Sequence, residues 1–184
     1  GGISSESILG SCSTYERGKM NRRLDKGDII FAKSNNASNI GLKLSSEWIP
    51  EYEDHIELRV LPCHNELYFT EESIKLFYEQ TYTFETGDRM GCMIVGEQPL
   101  EHRKQADIVS ESATFGTIQI PPTGQPIILL ADSQTTGGYA TIGTVITVDL
   151  WKIAQLPLRG TINFKRVNLE EAQYLLKNWY KRLV

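Results

Sequence analysis

Apolar and polar positions alternate in short runs along this chain, and long helical stripes are few. Ile56-Glu57-Leu58-Arg59-Val60-Leu61 alternates strictly, the pattern of a strand with one buried face. Residues 115–120 predict a second strand, stopped by Pro121-Pro122 and a Thr123-Gly124 turn. Residues 126–132 form a continuous apolar run ending in Asp132, which predicts a strand buried on both faces. β-Branched residues predict strands over 142–148 and 161–167, and a weaker one over 28–32.

Helical periodicity is confined to three stretches. Thr70 is placed to cap a helix running to about Gln80, with Glu71 and Glu72 in its first turn and Ile74, Phe77 and Tyr78 on one face. Asp149 is expected to cap a short helix over 150–156. Asn168 and Glu171 read as a capping box before a stripe of Leu169, Ala172, Leu176, Trp179 and Leu183. Residues 33–39, rich in Ser and Asn, read as a loop. Residues 47–57 hold five acidic residues and no Lys or Arg, and read as a solvated face rather than a cation site. Many short strands, Gly/Pro turns and few helices predict a mainly β barrel or sandwich.

Composition narrows the possibilities further. The 184 residues carry a formal net charge of −4, which argues against nucleic acid as a partner because phosphate binding relies on clustered Lys and Arg. The apolar run at 127–131 is far too short to cross a bilayer, and no membrane partner is expected. Cys12, Cys63 and Cys92 are odd in number and contain no CxxC pair, so the plain reading is free thiols in a reducing cytoplasm. His55, His64 and His102 stand at unrelated spacings, and no metal site is expected.

The densest chemistry lies in one block. After the apolar run comes Asp132, then Gln134-Thr135-Thr136-Gly137-Gly138-Tyr139. Glycines permit positive φ or close approach to a ligand, successive N–H groups can form an anion nest, and the Thr hydroxyls and Gln amide offer neutral donors and acceptors. Asp132 can serve as a general base or hold a substrate amide N–H. The competing reading is a Gly-rich hairpin in which Asp132 accepts turn N–H groups. No Lys follows the glycines, so this is not a nucleotide-binding Walker loop. Asp88-Arg89-Met90-Gly91 reads as a tight turn with a structural ion pair, or as a turn presenting Arg89 to a substrate. Ser11 and Ser13, in a run of small residues, read either as a loop or as an anion-binding turn.

Together, LGSCSTYERG, Asp28, RVLP, DRMG and the long FGTIQIPPTGQPIILLADSQTTGGY block closely resemble one family, variously called allophanate hydrolase subunit 2, biotin-dependent carboxyltransferase or the C-type subunit of 5-oxoprolinase. The resemblance implies a cyclophilin-like β-barrel at about 54–167, a C-terminal helix at 168–183, and a chain that is the C-terminal portion of its subunit. It implies ATP-dependent opening of 5-oxoproline to glutamate in a complex with a smaller kinase-inhibitor-like subunit (the B type) and an A-type subunit. Alternatives are a non-catalytic antagonist of such an inhibitor and a carboxyltransferase acting on urea or a similar small amide. Asp132, Gln134 and Thr135 are the expected catalytic residues. Thr136, Gly137, Gly138, Tyr139, Arg89, Ser11 and Ser13 are expected to bind a small amide or lactam. No cofactor is expected in this chain itself; ATP belongs to the complete complex, and biotin could come only from another chain. Cys12, Met93 and Ser133 stand where relatives commonly carry Arg, which weakens planar recognition of anions.

Overall fold

A computed structural model describes residues 3–16, 18–32, 41, 43, 46 and 49–181. The chain divides into two compact units, Gly1–Pro50 and Glu51–Val184. The loop expected at 33–39, residues 47–48 of the acidic stretch and Leu183 of the last helix lie outside the described residues.

In the first unit, the strand expected over 28–32 does not form. Ala32 makes only an isolated antiparallel bridge to Ile3. Ile29, Ile30 and Phe31 are all exposed, so the unit provides no buried face to hold an alternating strand. A bidentate ion pair of Arg22 with Asp28 (2.7 Å to each oxygen) organises this segment instead.

The second unit is built on a closed seven-stranded barrel, which bears out the mainly β expectation. Its strands are β1 (His55–Pro62), β2 (Tyr82–Gly87), β3 (Gly91–Gly96), β5 (Thr117–Gln119), β6 (Ile127–Leu129), β8 (Thr141–Val145) and β9 (Thr161–Arg166), in the order β1-β8-β5-β6-β3-β2-β9. β1 and β9 close it as a parallel pair, from His55↔Thr161 to Val60↔Arg166. A separate two-stranded ribbon pairs β4 (Asp107–Ser112) with β7 (Thr136–Tyr139). The helices are α1 (Glu71–Glu79), α2 (Leu150–Gln155) and α3 (Leu169–Lys181).

Alternation places Ile56, Leu58 and Val60 of β1 and Ile162 and Phe164 of β9 in the core. α1 closes over this core: Phe77 stacks on Phe164 at 4.4 Å between ring centroids, and Tyr82 meets the same ring edge-on at 5.4 Å. Thr70 caps α1 as expected, accepting the Ser73 N–H at 3.1 Å.

Three expectations need correction. Asp149 precedes α2 but makes no capping hydrogen bond. Its fully buried carboxylate instead takes the Arg59 guanidinium (2.8 and 2.7 Å), the Arg59 N–H (3.0 Å) and Lys152 Nζ (3.1 Å). Asn168 does accept the Glu171 N–H at 2.8 Å, yet the apolar stripe of α3 is only partly used. Ala172, Leu175 and Leu176 pack against Ile146, Val148 and Val167, whereas Leu169 and Trp179 remain exposed. Finally, the glycines of the 134–139 block are neither a nest nor a hairpin between core strands. Gly137 and Gly138 lie within β7, without positive φ.

Candidate functional site

Residues 130–139 leave the end of β6 and run as a strap over the outside of the barrel. The strap is fixed along its length by its backbone. The Ser133 N–H donates to Leu130 O (3.1 Å), the Asp132 N–H to Arg89 O (2.9 Å), and Thr135 O accepts the Ala113 N–H (2.8 Å). β7 then pairs antiparallel with β4, through Asp107↔Tyr139, Glu111↔Gly137 and Ser112↔Thr136. Beyond β7, Ala140 is buried, donating to Ala106 O and accepting from the Ile120 N–H, both at 2.9 Å.

A pinned backbone of this kind presents side chains at defined positions. Gln134, Thr135, Thr136 and Tyr139 are exposed, while Asp132, Gly137 and Gly138 are half-buried. The strap therefore offers solvent two hydroxyls, an amide and a phenol, all neutral, at spacings set by the barrel beneath.

At the start of the strap, Asp132 meets Arg89 in a fork-to-fork pair, Nε to Oδ2 at 2.7 Å and Nη2 to Oδ1 at 2.9 Å. Arg89 comes from the β2–β3 turn. As expected the turn is tight: Asp88 Oδ1 accepts the Met90 N–H (2.7 Å) and the Gly91 N–H (3.3 Å), and the Asp88 N–H donates to Gly91 O (3.1 Å). The structural ion pair read there thus runs from Arg89 to Asp132, across 43 positions of sequence. The Arg89 guanidinium holds the Asp132 carboxyl below the ordinary carboxylate range. An ionised carboxylate with both oxygens engaged is a weak general base, and its geometry suits it to clamping the strap onto the β2–β3 turn.

Gln119, a residue sequence reasoning did not single out, lies under the strap. Its neighbours Ile118 and Ile120 point into the core, so it faces outward, yet only 4% of it is exposed. Gln134 Nε2 reaches its Oε1 at 3.5 Å. Thr141, opposite Gln119 in the β5–β8 register, accepts the Asn65 amide at 3.3 Å. Asn65 is buried, and its amide also donates to Glu111 of β4 at 3.0 Å. Cys63 donates to Thr141 O (3.0 Å) while His64 faces Glu111 (3.4 Å), so the two do not form a catalytic pair.

Ser11 and Ser13 belong to the first unit. Ile8 and Ser11 exchange both backbone hydrogen bonds around Leu9 and Gly10, each with positive φ, as in a type I′ hairpin. The Ser11 hydroxyl accepts the Ser13 N–H at 3.1 Å, which stiffens that turn. Among the described residues no three His, Cys, Asp or Glu side chains gather into a metal-holding group. No helix among them is long and apolar enough to cross a membrane.

Comparison with known proteins agrees with this architecture. Residues 1–166 match the family model "Carboxyltransferase domain, subdomain A and B". The C-type subunit of the Haemophilus influenzae 5-oxoprolinase is 37% identical over 182 residues, covering 95% of this chain and 56% of that protein. Its Escherichia coli counterpart, also a C-type subunit of 5-oxoprolinase, is 32% identical over 178 residues, with 94% and 56% covered. The chain thus spans about half the length of these relatives. The crystal structure of the Kluyveromyces lactis urea carboxylase superposes with a TM-score of 0.85 over 98% of this chain and 18% of that one, at 23% identity, and shares the fold. With nine-tenths of its length matched by one family model, the chain belongs to the carboxyltransferase domain family, subdomains A and B.

Proposed function

We propose that the chain is part of one component of an ATP-dependent 5-oxoprolinase-type complex, opening 5-oxoproline to glutamate together with a smaller kinase-inhibitor-like subunit (the B type) and an A-type subunit. The observation that carries this reading is the strap: a rigidly held run of neutral hydrogen-bonding side chains, in a chain 37% identical to a C-type subunit of 5-oxoprolinase. A lactam presents one carbonyl acceptor and one N–H donor, both uncharged. The Thr135 and Thr136 hydroxyls donate to the carbonyl, and the Gln134 amide oxygen accepts the N–H. Donors held in place by a fixed backbone stabilise charge that develops on the carbonyl oxygen without reorganising. In this reading Asp132 and Arg89 position the strap. ATP enters with the complete complex, and any biotin would have to be carried by another chain.

Reconstituting the full-length protein with its partner subunits tests this. Glutamate is expected from 5-oxoproline and ATP only when this component is present, and avidin is expected to leave the rate unchanged. Avidin-sensitive carboxylation of urea, with 5-oxoproline untouched, would replace the proposal with carboxyl transfer.

A further inference from the structure

We infer that Gln119 is a positioning residue for the strap, and that position 137 is glycine because the Gln119 amide occupies the space a side chain would need. This rests on the reading above, in which the strap binds the substrate.

The geometry is direct. A Cβ built on Gly137 would stand 2.2 Å from Gln119 Nε2 and 3.2 Å from its Cδ, far inside van der Waals contact. At Gly138 the nearest atoms to such a Cβ are Ile108 O at 3.5 Å and Ser110 Oγ at 3.7 Å, ordinary distances. Close approach therefore demands glycine at 137 and not at 138. Neither residue has positive φ, so backbone conformation does not explain the glycine at 137. The atoms nearest that Cβ all belong to the end of the Gln119 side chain, so a side chain at 137 would require this amide to shift. With only 4% of Gln119 exposed, it must shift within packed surroundings. Any displacement separates its Oε1 from Gln134 Nε2, now at 3.5 Å. Gln119 thus reads the position of the strap twice, by contact at Gly137 and by hydrogen bond at Gln134, and through these it sets where the exposed Gln134 and Thr136 side chains stand.

The test is a double-mutant cycle in the full-length protein with its partners, using Gly137→Ala, Gln119→Ala and the pair. Gly137→Ala is expected to lower kcat/KM for 5-oxoproline about tenfold while Gln119 is present, and by less than about twofold once Gln119 is alanine. Hydrogen exchange at the Ala113 N–H, which the strap protects through Thr135 O, gives a second readout that needs no substrate. It is expected to quicken about tenfold in Gly137→Ala alone, and the Gln119→Ala background is expected to remove that difference. Gln119→Asn, which keeps the amide but withdraws it by one methylene, serves as the background if the alanine variant does not fold. Equal effects of Gly137→Ala in both backgrounds would overturn the inference. Coupled exchange in a complex that turns over no 5-oxoproline would uphold the positioning role and overturn only the reaction.

Discussion

Asp149→Ala is expected to destabilise the barrel unit by about 3–5 kcal/mol, the cost of breaking a buried ion pair and leaving its partner charge behind. Asp149 is fully buried, and four donors converge on it: two from the Arg59 guanidinium, the Arg59 N–H and Lys152 Nζ. The pair ties β1 to the turn before α2, elements 90 positions apart in sequence. Removing the carboxylate leaves a half-buried Arg59 and an unpaired N–H facing a void. Urea titration of the purified chain measures the loss; a change below about 1 kcal/mol would contradict the role given to this pair. Burial works against ionisation of Asp149, but the Arg59 hydrogen bonds and Lys152 outweigh it and hold the carboxyl below its ordinary value of 3.8. A depressed carboxyl contributes stability that is fully present above its unfolded value and is lost as pH falls through the folded one. Wild-type stability is therefore expected to fall on acidification below about pH 4, with a shallower fall in Asp149→Ala.

The Arg89–Asp132 clamp is expected to show the opposite balance, with little effect on stability and a large one on turnover. Arg89 is 59% exposed, and exposed pairs contribute at most about 1 kcal/mol. Its importance lies in holding the first residues of the strap, where a misplacement of about 1 Å can cost about a hundredfold in rate. Arg89→Ala and Asp132→Ala are each expected to reduce kcat/KM for 5-oxoproline between about tenfold and a hundredfold, and the double variant no further than the worse single one. On the reading that Asp132 positions the strap rather than accepts a proton, the acidic limb of the pH–rate profile is expected to remain in Asp132→Asn. A rate abolished by Asp132→Ala but normal in Arg89→Ala would make Asp132 the general base instead.

Every strand expected in the barrel unit forms: β1 and β9 alternate cleanly, β8 is β-branched, and the runs at 115–120 and 126–132 become β5 and β6, each shortened to three residues. β2 and β3 escaped because glycines end them and β3 does not alternate: its outward Met93 and Val95 are as apolar as the inward Cys92 and Ile94. Their pairing is fixed by the Asp88 turn and by neighbours distant in sequence. The same distance effect shaped the site. Asp132 stands out in the sequence, but its partner Arg89 is 43 positions away. Asp149 precedes a helix and so resembles a cap, while its actual partner belongs to β1. Two adjacent glycines looked like a turn. Only the folded strap shows that Gly137 answers to a Gln119 side chain, and the signal available beforehand was a lone polar residue between two buried isoleucines.

The most direct test of the central claim is the initial rate of glutamate formation from 5-oxoproline and ATP, by the full-length protein reconstituted with its partner subunits. It should be compared with a Thr135→Ala, Thr136→Ala variant that keeps the strap backbone but removes its hydroxyls. The strap reading predicts a rate that depends on this component and falls at least about tenfold in the variant, the loss expected from two substrate hydrogen bonds. An undiminished rate in the variant, or full glutamate formation without this component, would contradict it.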